Sequence, residues 1–197
     1  MNNIIITNIL QKIKKRGKNM AYWNSRGLRG DGLEEQINRT NELYREKGLA
    51  IVQKIPTPIK PIRIDNEKRT ITLAYFEQKS TVDYIGVVQG IAICFDAKET
   101  TKNFLPMSNI HAHQIEFMSD FKKQGGIAFL VVYFKKYDAY YFLPIEVLEK
   151  LYTEAINGGR KSIPYEKFDK KYQIFIEGGL YIHYLKVLES YINESYE

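Results

Sequence analysis

Residues 80–100 read STVDYIGVVQGIAICFDAKET, and this stretch decides the fold. Two largely apolar runs, 81–88 and 91–98, flank Gln89-Gly90, which predicts two antiparallel strands joined by a short turn. The second run passes directly from GIAICF into an aspartate, and a lysine follows two residues later. Charged side chains at the end of a buried strand cost free energy unless they are paired, bind a metal or take part in chemistry. The stretch therefore predicts a sheet with a candidate site at the end of one strand.

The spacing of the charged residues indicates which of them meet. Side chains alternate between the faces of a strand, so Thr81 and Asp83 are expected on one face and Val82 on the other. Asp96 and Lys98 share a face of the second strand in the same way. Paired as a hairpin, the strands would bring the Asp83 and Asp96 carboxylates together, and these repel unless a cation lies between them. Such hard oxygen ligands suit Mg²⁺ or Mn²⁺, with Lys98 aimed at a phosphate or an attacking water.

A predicted helix adds a fourth candidate. Ser108 or Asn109 is expected to cap a helix that runs to Gln124. Gln114 falls inside its apolar stripe, and a buried glutamine needs hydrogen-bond partners. The amide oxygen of Gln114 could bind the same metal. The other members of the stripe are Ile110, Phe117, Met118 and Phe121.

Structural interpretations of the same residues remain open. Asp96 and Lys98 could form an ion pair at the end of the strand, and Asp83 could cap a turn. Gln114 could be an ordinary buried amide bonded to the backbone.

Histidine and cysteine content argues against a zinc site. Cys94 is the one cysteine in the sequence, which excludes an internal disulfide and a cysteine-based zinc site. We expect it to pack in a strand of a cytoplasmic protein. His111 and His113 are expected on different faces of the helix start, as DNA-contacting or structural residues.

The remaining pattern predicts an α/β domain. The run IAFLVVYF is continuously apolar, as expected of a central strand buried on both faces. We predict a mixed sheet of five strands with helices on both faces. The predicted elements are a helix at 33–47, a strand at 49–55, a hairpin at 56–76, the 81–98 hairpin, strands at 127–134 and 139–143, and helices at 144–156 and 180–194.

Length and charge limit the class of protein. The 197 residues suit one domain, with residues 1–20 as a basic tail and 21–197 as the folded domain. The sequence has no apolar run of about 18 residues, the length that spans a membrane. A net charge of +6 and a pI of about 9.1 favour an anionic partner.

Two basic segments are candidates for contact with DNA phosphates. The hairpin at 56–76 carries Lys60, Arg63, Lys68 and Arg69, and its prolines exclude it from the centre of a sheet. The loop at 157–164 carries Arg160 and Lys161 and is expected to be flexible. The alternatives are an edge hairpin that is charged to prevent aggregation, and an idle solvated loop.

These residues resemble a known family. The order acid, strand, acid-x-Lys is similar to the PD-(D/E)xK nuclease core, and the chain more specifically resembles the RecU family of Holliday junction resolvases of Gram-positive bacteria and their phages. The resemblance covers about residues 22–165. Its signatures are SRG…LEEQINRTN (25–41), KIPTPI (54–59), AYF…KSTVDYIG (74–86), FDAKET (95–100), HAHQIEFM (111–118) and GRKSI (159–163).

The resemblance implies a role for each site residue. It implies metal ligands at Thr81, Asp83, Asp96 and Gln114, and a lysine that stabilises the transition state at Lys98. It also implies an acidic residue on the first helix, which falls on Glu34. FDAKET departs from the more usual FEAKET, which shortens one ligand by a methylene group, and Val82 replaces a residue that is often threonine.

The resemblance also implies an activity. It implies a restriction-endonuclease-like core with a protruding hairpin stalk, and a Mg²⁺-dependent homodimer in which Mn²⁺ can substitute. The homodimer would cut two strands of a four-way DNA junction in recombination and repair, with recombination proteins as further partners. Two alternatives are a PD-(D/E)xK nuclease that acts on another DNA substrate and an inactive junction-binding protein.

Overall fold

The computed structural model describes residues 32–76, 81–177 and 180–195 of the chain. These residues form strands β1 (Ile51–Lys54), β2 (Ile59–Asp65), β3 (Thr70–Phe76), β4 (Tyr84–Val88), β5 (Ile91–Thr100), β6 (Phe104–Pro106), β7 (Ile127–Phe134), β8 (Ala139–Pro144), β9 (Ser162–Pro164) and β10 (Gln173–Ile174). They also form helices α1 (Leu33–Glu46), α2 (Ala112–Lys123), α3 (Ile145–Ile156) and α4 (Tyr184–Ser195). The predicted basic tail, residues 1–20, lies outside the described residues.

The centre of the fold is a six-stranded mixed sheet in the order β1-β4-β5-β7-β8-β10, one strand more than predicted. Neighbouring strands are antiparallel except β5 and β7, which are parallel. A parallel pair needs a crossover connection, and α2 lies in that connection. The predicted mixed α/β architecture is therefore confirmed.

Helices cover both faces of the sheet. Helices α1 and α4 pack on one face, called here the α1 face, and α2 and α3 pack on the other, the α2 face. Strand β7 is buried on both, since Phe129 and Val131 join the core of the α1 face while Leu130 and Val132 join that of the α2 face. This confirms the prediction for IAFLVVYF. Cys94 is buried on the α2 face, as expected.

An aromatic stack fixes which way the residues of β5 point. The ring of Phe95 lies between Tyr84 and Phe129 on the α1 face, with ring centroids 4.7 Å and 4.8 Å away. Stacked pairs of this kind contribute about 0.5–1.5 kcal/mol beyond the area that they bury. Because side chains alternate along a strand, Asp96 and Lys98 must point to the α2 face.

The turn between β4 and β5 forms as predicted. Gln89 and Gly90 have φ angles of 50° and 94°. Positive φ at both central residues is the type I′ geometry that matches the twist of a two-residue hairpin. The turn sets the register Val88↔Ile91 through Tyr84↔Phe95.

Two predicted boundaries next to the site are wrong. Strand β4 begins at Tyr84, so Thr81 and Asp83 precede the strand instead of alternating within it. Helix α2 begins at Ala112 and its N-cap is His111, whereas Ser108 and Asn109 lie in a 3₁₀ turn. The helix begins late because the Gln114 side chain accepts the His111 N–H at 3.2 Å, which satisfies a donor at the helix end.

The segment 157–164 is only partly a loop. Its last three residues form β9, which pairs with β6 through Leu105↔Ile163, and Ile163 is buried. The flexible loop predicted there is therefore wrong for residues 162–164. Helix α4 also begins later than predicted, at Tyr184 instead of near residue 180.

A separate two-stranded hairpin, β2–β3, projects from the sheet. Its strands pair through Asp65↔Thr70 to Ile59↔Phe76, with a turn at residues 66–69. Nearly all of its side chains are exposed on both faces, which confirms the predicted protruding hairpin.

No helix in the described ranges is both long and apolar enough to cross a bilayer.

Candidate active site

Asp83 and Asp96 lie where the pairing of β4 and β5 ends. The last pair of residues in the β4–β5 register is Tyr84↔Phe95. Beyond it, hydrogen bonds between carboxylates and backbone N–H groups take the place of backbone–backbone bonds. The Asp83 N–H donates to Asp96 Oδ1 at 3.1 Å, and the Ala97 N–H donates to Asp83 Oδ2 at 2.9 Å. One oxygen of each carboxylate is thereby held by a backbone donor, so the two acids are fixed relative to each other.

Asp96 is a fully buried carboxylate at the end of a strand. Burial raises its pKa to about 7, the Lys98 ammonium opposes this, and the negative charge of Asp83 adds to it. Such a shift, produced by burial and a specific neighbouring charge, is typical of functional carboxylates.

Lys98 lies beside Asp96 on the α2 face, as the alternation of β5 predicts. Its Nζ is 2.5 Å from Asp96 Oδ2, and its side chain is 14% exposed. The approach is outside hydrogen-bond geometry, so Asp96 Oδ2 is a buried oxygen that accepts no directed hydrogen bond. The ion pair that the sequence left open is therefore present, and it brings the Lys98 ammonium group against the buried oxygen of Asp96.

Gln114 reaches the site with its amide nitrogen, whereas the sequence predicts its amide oxygen there. Its Nε2 donates to Asp96 Oδ1 at 2.9 Å, while its oxygen accepts the His111 N–H. In this geometry Gln114 orients the carboxylate. The oxygen can face a metal only if the amide turns over and releases His111.

The next two predicted residues lie at the margin of the site. Thr81 is exposed in the segment before β4. Glu34, on α1, is half exposed and pairs with Lys54 of β1 instead of facing Asp96. The hydrogen bond to Glu34 is the main cause that raises the pKa of Lys54, and the negative charge of Asp83 adds to it. Lys54 therefore couples Glu34 electrostatically to Asp83.

The donor set suits a hard divalent cation. The described residues contain no group of three or more His, Cys, Asp or Glu side chains that could hold a metal. The site instead offers two carboxylates, one with a buried oxygen that lacks a hydrogen bond, together with a neutral amide. Hard oxygen ligands and water complete the coordination of Mg²⁺ in such sites, so the residues present fit this ion.

The two histidines at the start of α2 are arranged differently from the prediction. His111 precedes the helix, and its ring stacks on that of His113 with centroids 5.4 Å apart and planes 10° apart. The expectation that the rings lie on different faces is therefore wrong, because it assumed helical backbone at His111.

The predicted DNA-binding residues lie outside the carboxylate site. Asp65 and Glu67 share the hairpin with its basic side chains, and Asp65 accepts the Lys68 N–H at 3.0 Å. The hairpin is thus less cationic than its basic residues alone indicate. All six predicted residues are exposed: Lys60, Arg63, Lys68, Arg69, Arg160 and Lys161.

The sequence interpretation missed two contributors to the site. Lys54 pairs with Tyr84 in the β1–β4 register, which brings it next to Glu34. The Tyr84 hydroxyl donates to Asn38 Oδ1 at 3.0 Å and ties α1 to the end of the strand. The register of β1 against β4 would have revealed Lys54, but the sequence alone does not specify it.

Comparison with known proteins gives the same family as the sequence signatures. The family described as "RecU: Recombination protein U" matches residues 28–190. A protein of Pediococcus pentosaceus named "Holliday junction resolvase RecU" is 42% identical over 171 residues, which cover 84% of this chain and 85% of the relative. A protein of the same name from Oenococcus oeni is 43% identical over 162 residues, 80% of each chain.

A looser likeness is found to a solved structure of Hjc, a Holliday junction resolvase from Archaeoglobus fulgidus. The TM-score is 0.36 at 12% identity, over 58% of this chain and 78% of that one.

Proposed function

The chain belongs to the RecU family, and we propose that it resolves Holliday junctions by hydrolysing phosphodiester bonds at the Asp83–Asp96–Lys98 site. The observation that carries the proposal is the pairing of Asp96 with Lys98 on one strand face, beside Asp83. This arrangement places two carboxylates and an ammonium group at the end of one strand, which suits a phosphate held beside a cation.

The site would hold a divalent cation, Mg²⁺ with Mn²⁺ as a substitute. Asp83 and Asp96 would be its main ligands and Thr81 a further one. The Gln114 oxygen would join them once the amide has turned over and released the His111 N–H. When bound, the cation supplies Lewis acidity toward the phosphate and lowers the pKa of a water molecule.

The chain's own residues then have separate tasks. Lys98 would stabilise the negative charge that grows on the phosphate during cleavage. With the amide as it stands, Gln114 Nε2 and the Asp83 N–H both donate to Asp96 Oδ1 and so orient this carboxylate. Glu34 would act on the site through Lys54, by holding that ammonium group next to the carboxylates.

The wider arrangement follows from the same proposal. Residues 21–197 would form one nuclease domain with the stalk inserted at about 56–76. Two copies would form a homodimer in which each active site cuts one strand of the junction. The stalk, with Lys60, Arg63, Lys68 and Arg69, would reach the junction centre, where four backbones crowd together and phosphate density is greatest.

The proposal is tested by comparing a synthetic four-way junction with a linear duplex that contains the same sequence. We expect cleavage of the junction in Mg²⁺, little cleavage of the duplex, and none of either in EDTA. Equal cleavage of both substrates would indicate a nuclease with another target. Junction binding without cleavage in any divalent metal would indicate a binding protein.

A further inference from the structure

A second polar cleft lies beyond Lys98 along β5. It has a volume of about 250 Å³, and none of the site residues described above line it. The cleft is bounded by the end of β5 and the turn that follows it, by the end of β6 and the 3₁₀ turn after it, and by the residue just after β7. Its polar lining residues are Glu99, Thr100, Thr101, Lys102, Asn109 and Lys135.

The cleft begins two residues beyond Lys98 along β5, a spacing that can be compared with that of phosphates along a DNA strand. Thr100 follows Lys98 by two residues on the same strand, which is about 6.6 Å. One DNA strand carries a phosphate for about every 3.4 Å of helix axis. A strand whose cleaved phosphate lies at Lys98 would therefore bring a phosphate one or two nucleotides away to the cleft.

The charge of the cleft suits an anion. Its one carboxylate, Glu99, is neutralised by Lys135, whose Nζ lies 2.6 Å from Glu99 Oε1. Lys102 has no acidic partner among the described residues, and its Nζ lies 5.3 Å from the centre of the Phe104 ring. Thr101 and Asn109 add neutral hydrogen-bond donors, so Lys102 is the cation available to a phosphate.

The wall of the cleft is held in shape before any ligand arrives. The Thr100 hydroxyl donates to the Phe104 carbonyl and accepts the Lys102 N–H, both at 3.1 Å. These bonds fix the turn that carries Lys102, which lowers the entropy lost when a ligand binds.

The pairing of β6 with β9 adds further basic residues to the same side of the molecule. The Met107 N–H donates to the Lys161 carbonyl at 3.1 Å, two residues before Asn109 of the cleft. Lys161 and Arg160 therefore stand close to the cleft in the fold, although they are far from it in the sequence.

We propose that this cleft binds a backbone phosphate of the DNA strand being cut, one or two nucleotides from the phosphate at Lys98, with Lys102 as its charged contact. The inference rests on the proposed function and deepens it. It also defines the path of the bound DNA strand, which would run from Lys98 past Thr100 toward Lys161.

The test uses a charge-neutral replacement of nearly equal length, Lys102→Gln. Binding to a labelled four-way junction is measured by fluorescence anisotropy in EDTA over a series of salt concentrations. Loss of one phosphate contact should lower the slope of log K against log salt by about 0.9, and should weaken binding roughly five- to tenfold at 0.1 M salt. Lys102→Arg should restore both values.

The matched control is Lys123→Gln, which removes the same charge. Lys123 is exposed at the end of α2, just before β7 begins, whereas Thr100 pairs with the last residue of β7 at the opposite end. The control should keep the parental slope. An unchanged slope for Lys102→Gln, or equal losses for both variants, would overturn the inference. Because the unmodified chain's junction cleavage is measured separately, failure of the proposed function remains distinguishable.

Discussion

Asp83 and Asp96 are fixed to each other by reciprocal bonds between backbone and side chain. The Asp83 N–H donates to the Asp96 carboxylate, and the Asp83 carboxylate accepts the N–H of Ala97, the residue after Asp96. Neither acid can move without loss of a bond at the end of the hairpin. The geometry of the carboxylate pair is therefore set by strand pairing, before any cation binds.

The first prediction concerns the Asp83 charge. Asp83→Asn keeps an oxygen that can accept the Ala97 N–H, so the fold should be unchanged, but one anionic ligand is lost. We expect junction cleavage in Mg²⁺ to fall by roughly 10²-fold or more while junction binding in Ca²⁺ is kept. Circular dichroism checks the fold. Normal cleavage by this variant in Mg²⁺ would remove Asp83 from the mechanism.

The second prediction concerns the pH dependence of stability without metal. The pKa of Asp96 is about 7 in the folded chain, against 3.8 for an ordinary aspartate. Between about pH 4 and pH 7 the folded state keeps a proton that the unfolded state has lost. The free energy of unfolding should therefore fall as pH rises through this window, by at most about 1.4 kcal/mol per pH unit from this group.

Urea unfolding in EDTA at several pH values measures this effect, with Asp96→Asn as the control that lacks the titrating group. The parental protein should lose more stability than the variant between pH 5 and pH 6.5. Parallel pH profiles for the two proteins would show that Asp96 does not titrate there. Added Mg²⁺ should stabilise the parental protein increasingly as pH rises, because the cation binds the ionised carboxylate.

The strands of the sheet and the faces on which their site residues lie are predictable, because side chains alternate between the two faces of a strand. The pattern of β5 alone places Asp96 and Lys98 on one face and Phe95 on the other. The start of β4 is not predictable in this way, because side-chain bonds replace the ladder at Asp83. The start of helix α2 is predicted wrongly for a related reason. The Gln114 side chain bonds to the backbone of His111, and histidine is not a favoured N-cap residue.

Contacts between distant segments are harder still to predict. Strand β9 has only three residues, and it forms because β6 offers it a partner nearly sixty residues earlier in the chain. The Glu34–Lys54 pair likewise depends on how α1 packs beside β1. Local patterns contain no signal for either.

The third prediction concerns Arg160 and Lys161. Both side chains are exposed, and Arg160 Nε donates to Ser162 Oγ at 3.0 Å. Changing both to alanine should weaken junction binding and reduce the salt slope by about one to two. A double variant of the exposed Lys123 and Lys150 removes the same charge as a control. If the slope stays at its parental value, the segment makes no phosphate contact.

The fourth prediction concerns the stalk. Residues 60–71 are replaced by a short glycine-rich link, which should leave the central sheet folded and its carboxylate site intact because the hairpin's side chains are almost all exposed. We expect the variant to lose its discrimination between junction and duplex, with junction cleavage falling most.

A second stalk variant separates charge from shape. Replacing Lys60, Arg63, Lys68 and Arg69 by glutamine keeps the hairpin but removes its cations, and should lower junction affinity while preserving some preference. If the shortened variant still resolves junctions at the parental rate, the stalk is not the source of selectivity. The spacing of two active sites across a dimer would then have to supply it.

Resolution by paired cuts is measured by mapping the cleavage positions in a four-way junction, with each of its four strands labelled in turn. Paired resolution at the Asp83–Asp96–Lys98 site requires two nicks at symmetric positions on opposite strands, with 5′-phosphate and 3′-hydroxyl ends, in Mg²⁺ but not in EDTA and not with Asp96→Asn. Unpaired cuts scattered over all four strands, or the same cuts made by Asp96→Asn, would contradict it.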